Sequence, residues 1–189
     1  MGRIVISENV TLDGVVQDPS GDEGFKHGGW VGHISDHPAV ARAALDDALG
    51  AQAMLFGRGG YEFFAARWPS RSGELADRLN GLPKYVVSST LEDPEWNNST
   101  VLMGDAVDAV SRLKGEVDGE IVVIGSIQLA RTLIEHDLAD ELRLTVFPVA
   151  LGTGERLFEE ISDERPMRLI GAETADGIAF LTYEVVGPR

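Results

Sequence analysis

The chain has 189 residues, of which 43% are hydrophobic, and its 31 acidic and 16 basic side chains leave a formal net charge of −15. This length supports one hydrophobic core, so we expect a single domain over residues 1–189. The negative charge disfavours nonspecific binding to nucleic acid or to anionic membranes. The absence of cysteine excludes disulfides, thiolate catalysis and cysteine-type zinc sites. No apolar run is long enough to span a bilayer and the first residues predict a strand, so we expect a cytoplasmic protein.

Strands and helices alternate along the chain. β-branched residues predict a first strand over residues 3–9, and turn formers at 11–14 end it. A long loop follows over residues 17–32, and apolar spacing then predicts a helix from residues 35–38 to Gly50. The remaining predicted strands cover 53–56, 84–88, 100–103, 121–124, 141–148, 167–174 and 178–186, and the remaining predicted helices cover 61–66, 74–79, 106–113 and 128–136. The pattern predicts an α/β sandwich that ends in an antiparallel hairpin.

Three strand-to-helix junctions carry residues suited to phosphate or ribose. They are residues 57–60 (Gly-Arg-Gly-Gly), 88–90 (Ser-Ser-Thr) and 124–128 (Ile-Gly-Ser-Ile-Gln). Each also has an ordinary structural interpretation: a turn glycine beside a solvated arginine, a capping run, or a tight turn. Because ligands of doubly wound sheets sit outside the carboxyl ends of parallel strands, three such ends together indicate a nucleotide site.

The histidines offer a weaker, metal-based hypothesis. His33, Asp36 and His37 lie close together in the chain, and a metal-assisted hydrolase that uses them as metal ligands is the third hypothesis. Loop and helix-cap roles fit these three residues better, so we expect no metal site. The chain also lacks a serine between spaced glycines of the nucleophile-elbow kind, which disfavours a serine hydrolase.

Five segments carry recognisable motifs: residues 9–16 (NVTLDGVV), 56–62 (FGRGGYE), 84–90 (KYVVSST), 124–126 (IGS) and 140–158 (DELRLTVFPVALGTGERLF). In this order they resemble the dihydrofolate reductase-like family, in the branch that contains the reductase domain of bifunctional riboflavin-biosynthesis proteins. The resemblance implies a three-layer sandwich with a mostly parallel central sheet and helices on both faces. It also implies a reductase that passes hydride from NADPH to a small heterocyclic or sugar-phosphate substrate, similar to 5-amino-6-(5-phosphoribosylamino)uracil reductase.

The resemblance also implies roles for single residues. Leu12 and Gly14 would lie beside nicotinamide and substrate, and Asp13 is the candidate catalytic residue that orients the substrate or a water molecule. Trp30, in the long loop, either covers the substrate or is an ordinary packed indole. The candidate cofactor-binding residues are Gly57, Arg58, Gly59, Gly60, Ser88, Ser89, Thr90, Ile124, Gly125, Ser126, Ile127 and Gln128.

The chain departs from the family pattern at several positions. The family often has threonine where this chain has Gly60, and a second glycine where it has Ser126. Relatives with two glycines there use a cis peptide, which predicts a cis bond between Gly125 and Ser126. Folate reductases also place an acid near the position of Ala41, where this chain has none, so dihydrofolate is disfavoured as a substrate.

Two further expectations concern activity and assembly. A noncatalytic NADP-binding module, which keeps the cofactor cleft without a productive substrate site, is the alternative to an enzyme. By resemblance we expect a homodimer, and the apolar strand Ile178–Leu181 with its neighbours is a candidate edge for pairing with a second subunit.

Overall fold

The computed structural model describes residues 1–32, 36–159 and 163–187. Within these ranges every predicted strand and helix is present, with small shifts at the ends. None of the helices in the described ranges is long and apolar enough to cross a membrane. The strands are β1 (Arg3–Thr11), β2 (Ala51–Gly57), β3 (Lys84–Val87), β4 (Ser99–Leu102), β5 (Glu120–Ile124), β6 (Glu141–Phe147), β7 (Met167–Ala175) and β8 (Ile178–Val185). The helices are α1 (Pro38–Gly50), α2 (Arg58–Ala65), α3 (Glu74–Gly81), α4 (Ala106–Glu116) and α5 (Ile127–Glu135).

The strands form one mixed sheet in the order β4-β3-β2-β5-β1-β6-β8-β7. The pairs from β4 to β6 are parallel, whereas β8 pairs antiparallel with both β6 and β7. Ile121, Val122 and Val123 of the central strand β5 are all buried, as a strand covered on both faces requires. The sheet is therefore mostly parallel and ends in an antiparallel hairpin, as predicted.

Helices cover both faces of this sheet. On one face, α4 and α5 pack in the same apolar cluster as Ile4 and Ile6 of β1. On the other face, α1, α2 and α3 pack in a cluster with Val5 of the same strand. Successive strand residues point to opposite faces, so the alternation along β1 supplies both layers of core. The result is the predicted three-layer sandwich.

One strand projects beyond its neighbour at the centre of the sheet. β1 pairs with β5 only as far as Ser7, which lies opposite Ile124. Along β6, however, β1 continues to Thr11, which lies opposite Phe147. Residues 8–11 of β1 thus extend past the end of β5, where the chain turns into α5. This step lies at the edge of the sheet that is formed by the carboxyl ends of the parallel strands.

The position of the hairpin corrects the predicted subunit edge. The strand that contains Ile178–Leu181 is β8, and it lies between β6 and β7. β8 is not an edge strand, because it pairs with β6 on one side and with β7 on the other. The last strand of the sheet is β7. Leu169 and Ile170 of β7 are exposed there. The expected homodimer remains a prediction.

Candidate functional site

The three predicted junctions meet at one edge of the sheet. β2 ends at Gly57, which lies opposite Val87 at the end of β3. On the other side of β2, Leu55 pairs with Val123, and β5 ends at Ile124. Because β3, β2 and β5 are parallel neighbours, their carboxyl ends lie side by side. Open α/β sheets bind ligands outside such ends.

Arg58 and the hydroxyl run after β3 form one polar cluster. Arg58 donates a hydrogen bond from Nη1 to Thr90 Oγ1 and another from Nε to Glu62 Oε1, 2.7 Å away. The Ser88 hydroxyl oxygen accepts the backbone N–H groups of Thr90 and of the next residue, at 3.2 and 3.0 Å. No helix begins between β3 and β4, a span that the structure describes in full, so the predicted strand-to-helix junction and capping run at residues 88–90 are wrong, and Ser88 bonds to a loop instead. Ser89 and Thr90 are exposed. The cluster presents a cation and hydroxyls to solvent at the sheet edge.

Ser126 connects the start of α5 to the end of β2. It occupies the N-cap position of α5, but its Oγ accepts the backbone N–H of Gly57 at 2.9 Å rather than an N–H of its own helix. Gly125 has a φ of +62°, in the left-handed region that suits glycine, and this residue turns the chain into α5. Every peptide bond in the described ranges is trans, so the predicted cis bond between Gly125 and Ser126 is wrong.

The two departures from the family pattern contact each other. A Cβ atom added at Gly60 would lie 2.5 Å from Ser126 Oγ and 3.1 Å from the carbonyl oxygen of Gly125. The Ser126 side chain therefore fills the space that a larger residue at position 60 requires.

A buried acid lies beside this junction. Glu8 is on β1 between Ile6 and Val10, and it is only 8% exposed. Burial raises the pKa of Glu8 to about 8, against the opposing effect of the backbone amides of Gly125 and Ser126. Glu8 is therefore a neutral acid at pH 7. The sequence prediction missed Glu8, although an acidic residue at an inward position of an alternating apolar strand is a readable signal.

Asp13 fastens the loop after β1 to the loop after β6. Its carboxylate accepts hydrogen bonds from the Thr11 hydroxyl (2.7 Å) and from the backbone N–H groups of Leu151 (3.1 Å) and Gly152 (2.7 Å). These bonds, with that of Thr11 first, lower the pKa of Asp13 to about 2. Asp13 is therefore ionised at neutral pH, and its geometry suits it to positioning rather than to proton donation.

Leu12 and Gly14 flank Asp13 at the tip of the same loop. Gly14 has a φ of +82°, and its N–H donates to the carbonyl of Thr11 at 3.0 Å, which closes a tight turn. Leu12 is 66% exposed, although its own N–H is bonded to the carbonyl of Val149 at 2.8 Å. The loop thus holds an exposed apolar side chain on a fixed backbone.

Trp30 packs the long loop against β6. Its indole N–H donates to the carbonyl of Gln17 at 2.9 Å, and its ring meets Phe147 edge-on with centroids 5.6 Å apart. These contacts support the packed-indole alternative. The buried carboxylate of Asp18 holds the same loop by accepting two of its backbone N–H groups, at 3.1 and 3.0 Å. The sequence prediction missed Asp18 because its role appears only once the loop closes on itself.

The residues of the metal hypothesis are only partly described. His33 lies outside the described residues, and Asp36 is exposed. His37 precedes α1, and its ring contacts that of Phe147 with centroids 5.8 Å apart. No group of three or more His, Cys, Asp or Glu side chains in the described ranges is arranged to hold a metal ion.

A groove of about 580 Å³ lies elsewhere, between α1 and the strands β6, β8 and β7. Its floor is an ion-pair network in which Arg143 contacts Asp47 (2.7 Å), Glu120 (3.1 Å) and Glu141 (2.6 Å). Asp47 also accepts the Ser7 hydroxyl at 2.6 Å. This acid of α1 is therefore committed to structural contacts.

The sandwich and its strand-end site define an α/β protein of the dihydrofolate reductase-like fold. The chain belongs to the RibD C-terminal domain family, whose model matches residues 3–178. It is 26% identical over 188 residues to the uncharacterized protein YyaP of Bacillus subtilis, and the match covers 96% of this chain and 94% of YyaP. It is also 32% identical over 99 residues to the uncharacterized protein YwjB of the same organism, over 52% of this chain and 57% of YwjB.

Solved structures share the fold. A provisionally named riboflavin biosynthesis protein of Shewanella sp. PV-4 has a TM-score of 0.74 and 19% identity, with 98% of this chain and 99% of that one covered. A diaminohydroxyphosphoribosylaminopyrimidine deaminase/5-amino-6-(5-phosphoribosylamino)uracil reductase of Thermotoga maritima has a TM-score of 0.65 and 16% identity, with 98% of this chain and 57% of that one covered. The predicted family and fold are confirmed.

Proposed function

We propose that the protein is an NADPH-dependent reductase that transfers a hydride to a small heterocyclic or sugar-phosphate substrate, similar to the reductase activity named in the Thermotoga maritima relative. One observation carries the proposal: Arg58 and Thr90 come from neighbouring strand ends and meet at the edge where α5 begins. A guanidinium beside hydroxyl groups suits a sugar phosphate. The start of a helix on the same edge suits a second phosphate group.

The residues present fit NADPH. When bound, this cofactor supplies the hydride, and the protein supplies binding and orientation. Arg58, Ser89 and Thr90 would hold the ribose phosphate, and Gly125 and Ser126, at the start of α5, would lie beside the diphosphate. The other cofactor-binding residues in this proposal are Gly57, Gly59, Gly60, Ser88, Ile124, Ile127 and Gln128.

The substrate side is formed by the loop after β1. The exposed Leu12 offers an apolar surface, and Gly14 lets the backbone turn tightly beside it. Asp13, held as a carboxylate by three hydrogen bonds, fixes this loop and orients groups that donate hydrogen bonds. Trp30 supports the loop from behind through its contact with Phe147.

A noncatalytic NADP-binding module is the second candidate. It is favoured by the engagement of Asp13 and of the Trp30 indole N–H in contacts within the protein. A screen of NADPH oxidation over a broad panel of heterocyclic and sugar-phosphate compounds separates the two. Binding without turnover of any compound supports the module.

The experiment is calorimetric titration of NADPH and NADH against the wild type and two variants, Arg58→Ala and the double variant Ser89→Ala with Thr90→Ala. Two or three charge-assisted hydrogen bonds to the ribose phosphate contribute about 1.5–3 kcal/mol each when shielded from solvent. Arg58 is half-exposed, so solvent reduces this sum, and we expect a net preference for NADPH of about tenfold or more. Both variants should lose this preference. It should also shrink as salt rises, because the site is exposed.

Arg42→Ala is the matched control. Arg42 is exposed on α1 and pairs with a carboxylate four residues later, as Arg58 does on α2. It lies by the groove rather than at the strand ends, so its removal should leave both affinities unchanged. Equal affinity of the wild type for NADH and NADPH would refute the cofactor preference. An unchanged preference in both variants would place the selecting residues elsewhere.

A further inference from the structure

Glu8 is a buried carboxyl whose hydrogen bonds within the protein are incomplete. It shares its face of β1 with Ile6 and Val10, which belong to the apolar cluster under α4 and α5. Its Oε1 atom is buried and has no hydrogen-bond partner among the described residues. A buried polar atom without a partner is costly, so its retention needs an explanation.

The carboxyl faces the start of α5. The backbone amides of Gly125 and Ser126 donate hydrogen bonds to it at this junction. The Ser126 hydroxyl bonds to Gly57 instead of capping α5, so the first amides of the helix lack a side-chain cap. An uncapped helix start offers N–H groups to an anion. The Glu8 carboxyl, whose Oε1 has no partner among the described residues, lies beside the same helix start.

Two arginines on the surrounding elements are already paired. Arg131 of α5 forms an ion pair with Glu155 at 3.1 Å. Arg156, in the loop after β6, lies 3.8 Å from the Asp13 carboxylate. Neither contributes to the pKa of Glu8, which burial raises to about 8. At pH 7 the Glu8 side chain is therefore a carboxylic acid with an O–H to donate.

We propose that Glu8 contacts the ligand: its O–H donates a hydrogen bond to an oxyanion held at the α5 N-terminus, which in the dinucleotide is the diphosphate. This inference rests on the proposed NADPH function. A bond from a neutral acid to a phosphate oxygen is charge-assisted and strong, whereas an ionised Glu8 would repel the same oxygen. The affinity for the cofactor should therefore be high when Glu8 is protonated and low when Glu8 is ionised.

The direct test is the dissociation constant for NADPH between pH 7 and pH 9 in the wild type, Glu8→Gln and Glu173→Gln. If only the acid form of Glu8 binds, wild-type affinity should fall about tenfold over this range, because the protonated fraction falls from about 0.9 to about 0.1. Glu8→Gln keeps a neutral donor and should bind with little dependence on pH. Glu173 is exposed on β7, so Glu173→Gln should follow the wild type.

All other groups that titrate between pH 7 and pH 9 are the same in the three proteins. Burial also lowers the pKa of Lys84 to about 8, but Lys84 is present in all three proteins, so the difference between wild type and Glu8→Gln isolates Glu8. The ribose phosphate has a second pKa of about 6 and has finished titrating. Calorimetry of the wild type in two buffers of different ionisation enthalpy adds a readout that needs no variant: NADPH should take up about half a proton at pH 8.

The outcomes separate the two proposals. NADPH affinity that is independent of pH, or that falls equally in the wild type and in Glu8→Gln, overturns the role of Glu8 and leaves the cofactor assignment intact. Absence of proton uptake overturns it as well. Absence of NADPH binding at every pH refutes the dinucleotide assignment and with it this contact.

Discussion

The contact between Gly60 and Ser126 predicts that these two positions are energetically coupled. In Gly60→Ala, the new Cβ would lie 2.5 Å from Ser126 Oγ, far inside van der Waals contact. The serine hydroxyl must then rotate away and give up its 2.9 Å hydrogen bond from the Gly57 N–H. In Ser126→Ala the obstructing oxygen is absent, and the nearest remaining atom is the Gly125 carbonyl oxygen at 3.1 Å.

The magnitude follows from three opposing effects. Replacing glycine by alanine within α2 stabilises the helix by up to about 1 kcal/mol. Overpacking destabilises the fold by about 1–3 kcal/mol, and the lost hydrogen bond costs about 0.5–1.5 kcal/mol more. Gly60→Ala alone should therefore lower the free energy of unfolding by about 1–3 kcal/mol. In the Ser126→Ala background the same change should be close to neutral, so the coupling energy should be about 1–3 kcal/mol.

The assay is urea denaturation of the wild type, both single variants and the double variant, with midpoints compared at unchanged m-values. Gly59→Ala is the matched control, because it lies in the same helix and a Cβ there meets nothing within 4 Å among the described residues. It should stabilise the protein slightly, with or without Ser126→Ala. If the Gly60 and Ser126 changes add to within about 0.5 kcal/mol, the Ser126 hydroxyl does not occupy the space beside Gly60 and the reasoning is refuted.

Further predictions concern pH, substrate and core. The folded pKa of Glu8 is about 8 and the ordinary value is 4.5, so the unfolded chain binds fewer protons and wild-type stability should fall as pH rises between these values. In Glu8→Gln this pH-dependent loss of unfolding free energy, on the order of a few kcal/mol, should be absent. The prediction is contradicted if the unfolding free energy from urea denaturation changes equally between pH 5 and pH 8 in the wild type and in Glu8→Gln. Dihydrofolate turnover with NADPH should be negligible, because the chain has no acid near Ala41, where folate reductases place one, and Asp47 on the same helix is held by Arg143. A positioned acid is worth about a hundred- to ten-thousand-fold, and turnover at ordinary enzyme rates counts against the prediction. Lys84 donates to three backbone carbonyls at 2.8–3.1 Å beneath Trp96, so Lys84→Met should lower the unfolding free energy by about 1–3 kcal/mol, whereas an unchanged thermal midpoint would show that these bonds are dispensable.

Local patterns in the sequence were sufficient to predict the elements of the fold. The apolar run at residues 121–124 predicts a central strand because a strand covered on both faces favours apolar side chains at successive positions. Glycine after a strand predicts a turn into a helix, as at Gly125, because glycine reaches positive φ without strain. The same logic predicts the terminal hairpin around residues 175–177. Such features depend on a few neighbouring residues, so they can be inferred without knowing the partners of each strand.

The tertiary structure alone decided how these elements and their side chains meet. The order that leaves β7 at the edge instead of β8 depends on which way the hairpin folds against β6. The contact of Arg58 with Thr90 joins separate junctions because β2 and β3 are neighbours. Ser126 bonds to Gly57 instead of capping its own helix, which the sequence does not reveal. The raised pKa of Glu8 arises from burial by surrounding layers of the sandwich, and desolvation exists only once the chain has packed.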